Sequence, residues 1–123
     1  MTTPRFTLTL DHQPYDIAPL PSATLTQILA LRPLDLEAVR FAGHEYYAEL
    51  PETPEARDAT TSHLFAGHLY YWGEGNTLVL NFADYDIAPY RSVDLGAFTD
   101  PAAIAYLQNA GDHIHIRLDP PHA

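Results

Sequence analysis

Ala66-Gly-His-Leu-Tyr-Tyr-Trp-Gly-Glu-Gly-Asn-Thr-Leu-Val-Leu-Asn-Phe82 is the stretch that decides the fold. Two runs rich in aromatic and β-branched residues flank Gly73, Glu74, Gly75 and Asn76, a turn in which Gly and Asn take positive φ at little cost, so the stretch reads as a β-hairpin. Pairing Trp72 with Thr77 puts Leu69 and Tyr71 on one face with Leu78, Leu80 and Phe82, and that face is core. The other face carries His68, Tyr70 and Trp72 opposite Asn81, Val79 and Thr77. It is too apolar for bare water and too polar for a sealed interior, so a helix, a ligand or a second subunit is expected to cover part of it.

Outward from the hairpin, short strands recur. Arg5 to Leu10 alternates, with Phe6, Leu8 and Leu10 on one side. Asp11-His12 turns the chain into a return strand from Gln13 to Ile17, which Pro19 and Pro21 are expected to stop. Ser22 reads as the N-cap of a helix from Ala23 to Leu31 that Pro33 ends. Leu34 to Phe41 and His44 to Leu50 read as a hairpin around the two residues Ala42-Gly43, which sets Arg40 opposite Glu45 as a surface pair worth at most about 1 kcal/mol. Pro51 to Ser62 has almost nothing to bury and reads as a long surface loop. Ala83 to Ala88 is a polar connection and Tyr90 to Leu95 a strand ending at Gly96. Asp100 caps a second helix that begins at Pro101, turns Ile104 and Leu107 inward and closes at Gly111. His113 to Leu118 alternates again as the last strand. Tyr-Asp-Ile-Ala-Pro occurs at both 15–19 and 85–89, but the flanks do not repeat, so no duplication is inferred.

Eight or so short strands and two short helices within 123 residues predict one mainly β domain over residues 1–123, closed as a barrel to remove exposed edges. The formal charge of −10, from sixteen acidic residues against six Arg, repels phosphate backbones and anionic lipid, so nucleic-acid and membrane partners are not expected. With no Cys, disulfides and thiolate chemistry are excluded. The absence of an apolar run of membrane or signal-peptide length leads to the expectation of a cytoplasmic protein.

The order of these segments resembles the bacterial cyclophilin-like domain family. The resemblance rests on the capped helix from Ser22 to Leu34, on Tyr47-Ala-Glu-Leu-Pro51, on Ala66-Gly67 leading into Tyr70, Tyr71 and Trp72, on Gly75-Asn76-Thr77-Leu78 with Phe82, and on Val93-Asp94-Leu95-Gly96. His68 departs from the Asp usual after Gly67, and the turn after Trp72 lacks the common Pro. The resemblance implies a cyclophilin-type β-barrel and no assigned activity.

Candidate chemistry is sparse. His113 and His115 have the His-x-His spacing of a metal pair, with His44, His63 or His68 as a possible third ligand, yet an exposed polar strand face explains them as well, and no cofactor is expected. No Gly-x-Ser-x-Gly elbow, His-Glu-x-x-His motif or phosphate loop is present. The expected function is a binding module for a small molecule or peptide, without catalysis, using His68, Tyr70, Trp72, Asn81 and Arg40, with a homodimer as a further possibility. The alternative is a peptidyl-prolyl isomerase, or another enzyme using the aromatic face beside His68. An isomerase needs an arginine donor at an apolar proline slot, for which only Arg40 and Arg91 are placed.

Overall fold

The computed structural model describes residues 4–55 and 57–121. Met1 to Thr3, ahead of the first strand, Ala56 of the long loop, and the last two residues lie outside the described residues. The strands are Phe6–Leu10 (β1), Gln13–Pro19 (β2), Leu34–Phe41 (β3), Glu45–Glu49 (β4), His63–Leu64 (β5), His68–Trp72 (β6), Thr77–Asn81 (β7), Tyr85–Asp86 (β8), Val93–Phe98 (β9) and His113–Leu118 (β10). The helices are Ala23–Leu29 (α1) and Pro101–Asn109 (α2). Eight strands close an antiparallel barrel in the order β1-β10-β3-β4-β7-β6-β9-β2, while β5 and β8 pair separately. The closed, mainly β architecture with two helices agrees with the sequence expectation.

Alternation decides what the barrel encloses. In β10, Ile114, Ile116 and Leu118 are buried while His113, His115 and Arg117 are exposed. Leu8, Leu10, Ile17, Leu69, Leu78 and Leu80 join them in one core, to which the helices add Leu25, Ile28 and Leu107. The hairpin register is the expected one, with Trp72 opposite Thr77 and Leu69 opposite Leu80.

Ser22 caps α1 as expected, its Oγ accepting the Leu25 N–H at 3.0 Å. Asp58 reaches across from the long loop to the same helix start, accepting from Ser22 Oγ at 3.0 Å, Thr24 N at 2.8 Å and Thr24 Oγ1 at 2.6 Å. These bonds, that of the Thr24 hydroxyl foremost, hold its carboxyl below the usual range. The helix stops at Leu29 rather than Leu31 because the next residues tighten into three-residue turns, Leu31 N–H to Ile28 O at 3.0 Å and Arg32 N–H to Leu29 O at 3.2 Å.

Asp100 and Pro101 start α2 as expected. Its end is closed differently: the C-cap is Ala110, in extended conformation, and the orphan carbonyls are met by Arg40. The guanidinium donates to Leu107 O at 3.0 Å, Ala110 O and Gln108 O at 3.3 Å each, and Tyr46 Oη at 3.1 Å, and lies 4.5 Å over the Phe82 ring.

That placement corrects the expected Arg40–Glu45 pair. The turn of the second hairpin holds three residues, Ala42 to His44, with positive φ at Ala42 and Gly43, so Phe41 faces Glu45 and Arg40 faces Tyr46. Because side chains alternate, a shift of one residue turns Arg40 to the inner side and leaves Glu45 on the outer one.

Two other boundaries differ. Strand β2 runs on to Pro19 because β9 gives it a partner, and β9 spans Val93–Phe98 rather than Tyr90 to Leu95, passing through Gly96. Gly96 has φ +134°, and a Cβ there would lie 2.4 Å from Ala18 O, so the crossing of β2 and β9 requires glycine.

Candidate functional site

The outer side of β4, β7 and β6 carries three rows of cross-strand neighbours: Glu45 and Asn81; Tyr47, Val79 and Tyr70; Glu49, Thr77 and Trp72. The chain covers part of this surface itself. Thr61 and Ser92 exchange backbone bonds at 2.8 and 2.9 Å, Ile87 N–H reaches Ser62 O at 2.9 Å, and Arg91 Nε donates to Thr60 Oγ1 at 2.9 Å. The two segments so joined, carrying β5 and β8, lay Leu64 and Ile87 against Tyr70, Val79 and Trp72 as a second apolar cluster.

Between this cover and the β3–β4 turn an open cleft of about 650 Å³ remains. Val79 and Trp72 form much of its floor, and Phe41, Tyr47, Tyr85 and Tyr90 its walls. All four wall rings are exposed, from 37% for Tyr47 to 55% for Phe41. Phe41 stands edge-on to Tyr47 at 6.1 Å, and Tyr90 edge-on to Trp72 at 6.0 Å.

Glu45 lies at one end. Its carboxyl is pushed up to about 7 because burial penalises the charged form. The neighbouring imidazole is itself buried: His44 Nδ1 lies 3.3 Å from Glu45 Oε1 and 3.2 Å from Asn81 Oδ1, and its ring stacks on Tyr85 at 3.9 Å. Both contacts are to acceptors, which calls for the proton on Nδ1. Asn81 Nδ2 donates to Ala83 O at 2.8 Å, which fixes the amide behind the imidazole. At the other end Trp72 Nε1 and Thr77 Oγ1, on paired residues, are buried without a hydrogen-bond partner. The site therefore combines an apolar aromatic slot, a carboxyl whose charge changes near neutral pH, and two unspent polar groups.

Of the residues expected to form a site, Trp72 lines this cleft and Asn81 touches it through His44. Tyr70 lies beneath the cover, its hydroxyl accepting the Phe65 N–H at 2.8 Å and its acidity pushed to about 12, chiefly by burial. His68 is outside the cleft lining and forms a separate pair, Nδ1 to Asp94 Oδ2 at 2.9 Å. Arg40 is on the barrel side of β3. Sequence reasoning took His44 only as a possible third metal ligand and Glu45 only as a surface partner of Arg40, and did not place Tyr47 or Tyr85 in a site. The signal was the alternation of Phe41, Glu45 and Tyr47 on one face, legible only with the correct turn length.

His113 pairs with Glu37 at 2.9 Å and His115 with Asp35, both on the exposed face. Among the described residues no group of three or more His, Asp or Glu is placed to hold a metal ion. A larger depression, about 790 Å³, lies between β1, α1 and the last prolines, and is bounded by Pro4 and Pro121, beyond which the chain is outside the described residues. Among the described residues its lining has Arg5, Arg32 and Asp119 but only one aromatic ring, that of buried Phe6. The smaller cleft, with its exposed rings and perturbed carboxyl, is the stronger candidate.

Residues 8–119 match the model of the cyclophilin-like family. A search of curated proteins finds no match. Among solved structures, that of a hypothetical protein from Archaeoglobus fulgidus, determined in solution, aligns with a TM-score of 0.70 at 16% identity, over 95% of this chain and 94% of that one. At that identity the likeness speaks for the fold.

Proposed function

The chain belongs to the cyclophilin-like family, and from that premise we propose that it is a binding module whose site is the outer cleft over β4 and β7. Its ligand is a small amphipathic molecule or the side chain of a short peptide, and the module performs no chemistry on it. The barrel fold hosts unrelated activities, so the reading rests on the site. The observation that carries it is the ring of four exposed aromatic side chains around an apolar cleft that the chain's own covering segments leave open. Exposed aromatic area of this kind is costly on a surface with no partner and is well suited to a ligand with one flat face.

The isomerase alternative has less support. Arg40 spends its guanidinium on three carbonyls at the end of α2 and on the Tyr46 hydroxyl, and Arg91 spends its own on Thr60. Neither is among the residues lining the cleft.

The test is a screen of small aromatic fragments by amide chemical-shift mapping on the whole chain, with Trp72, the only Trp, as a second reporter. Perturbations should centre on residues 41–47, 77–79 and 85–90. Hits that map instead to the depression beside Arg5 and Arg32, or to no site, would remove the reading.

A further inference from the structure

The cleft has a sign. Its charged lining residues are Glu45 and Asp86, and no Arg contributes to it; the chain has no Lys. His44, the one basic group there, is turned to Glu45 and Asn81. An anionic ligand would meet two carboxylates with no cationic side chain to offset them. A cation would meet a carboxylate at one end of the slot and the aromatic rings of Phe41, Tyr47 and Tyr85 around it.

The length of the slot adds a second requirement. Glu45 pairs with Asn81, and Thr77 stands four residues further along β7. At about 3.3 Å per residue the carboxylate end and the Trp72–Thr77 end are roughly 13 Å apart. Val79 and the Trp72 ring lie between, so the body of the ligand is apolar.

Resting on the reading of this cleft as a binding site, we infer that it selects a small organic cation, with an ammonium head against Glu45 among the rings of Phe41, Tyr47 and Tyr85 and an apolar body along Val79 toward Trp72. The buried position of Glu45 gives the cation its advantage, since a carboxylate removed from water is screened less. The groups that face it are His44 from the turn, Asn81 from β7 and Phe41 from β3, with Asp86 and Tyr85 across the cleft.

Three probes of matched size test the inference on the whole chain at about pH 8, where both Glu45 and the amine are charged: phenethylammonium, 2-phenylethanol and phenylacetate. Titrations followed by Trp72 emission and by amide shifts should show phenethylammonium binding at least about tenfold tighter than the alcohol, with phenylacetate weakest. In Glu45→Gln the cation's advantage over the alcohol should shrink to less than about threefold. Tyr47→Leu, which removes an exposed ring, should weaken the cation more than the alcohol and serves if the Gln variant does not fold. Equal or tighter binding of the alcohol or of phenylacetate, or a preference undiminished in both variants, overturns the inference and leaves the cleft as a binding site. Failure of all three probes to bind below about 10 mM overturns both.

Discussion

Strand β7 turns Leu78 and Leu80 into the barrel and Thr77, Val79 and Asn81 away from it, and all five are buried. Inside, burial follows from closure: residues from every barrel strand and both helices meet there, and the Arg40 guanidinium finds three carbonyls and a hydroxyl as acceptors. Outside, burial depends on two strands of two residues each and a few backbone bonds between the segments that carry them. There the ionisable group is Glu45, with a buried imidazole beside it and a carboxyl pushed to about 7. The same ladder therefore has a side that completes its polar groups and a side that leaves them short, and the incomplete side is the one we propose as the binding site.

The largest expected effect tests the inner side. Leu80→Ala should cost about 2–5 kcal/mol in urea melts, and a loss below about 0.5 would mean that the two faces have been exchanged. Arg40→Ala should follow, at about 2–4 kcal/mol, since it leaves the α2 carbonyls and the Tyr46 hydroxyl without their donor. Ligand affinity in the outer cleft should not change in that variant, and a change would join the two sides that we separate.

Glu45→Gln should act in the opposite direction. The folded carboxyl titrates near 7 against a usual 4.5, so between those values the folded chain holds a proton that the unfolded chain has released. This contribution is fully present below about pH 4.5 and is lost as pH rises toward 7. The Gln variant keeps a neutral group throughout, so it should match the natural chain near pH 4 and exceed it by about 2–3 kcal/mol at pH 8. Equal stability at both pH values would show that Glu45 is well solvated.

Tyr90→Ala should change stability by no more than about 0.5 kcal/mol, since half of that ring is already in water, while lowering affinity for aromatic fragments. The smallest expected effect is none: a protease-coupled assay on a Xaa-Pro peptide should show no acceleration. Acceleration abolished by Arg40→Ala would restore the isomerase reading.

Much of the barrel was legible because its signals are local. The Trp72–Thr77 register, the caps Ser22 and Asp100 and the bounds of β10 each follow from a pattern a few residues long. The cleft was less legible because it depends on what local patterns do not carry. Tyr-Asp-Ile-Ala-Pro shows the limit. At 15–19 it is barrel strand, paired with β1 and β9; at 85–89 it is a two-residue strand facing His63 and Leu64 and then a turn. Identical residues take two forms because different partners are in reach. A two-residue strand has no period to detect, so the cover over the cleft read as connection. One residue in the turn at Ala42 to His44 then decided whether Glu45 was a surface partner of Arg40 or the polar end of a site.

Asp58 has a consequence for how this chain meets proteases. Among its described residues the excursion from Pro51 to Ser62 has no strand or helix of its own, yet its one basic residue, Arg57, stands beside the carboxylate held on Ser22 and Thr24. Trypsin must draw several residues on either side of a scissile bond into an extended line, which here means pulling Asp58 off the start of α1. The bond after Arg57, exposed as that side chain is, is thus guarded by a tether, and resistance to nicking there is a direct measure of how rarely the tether lets go.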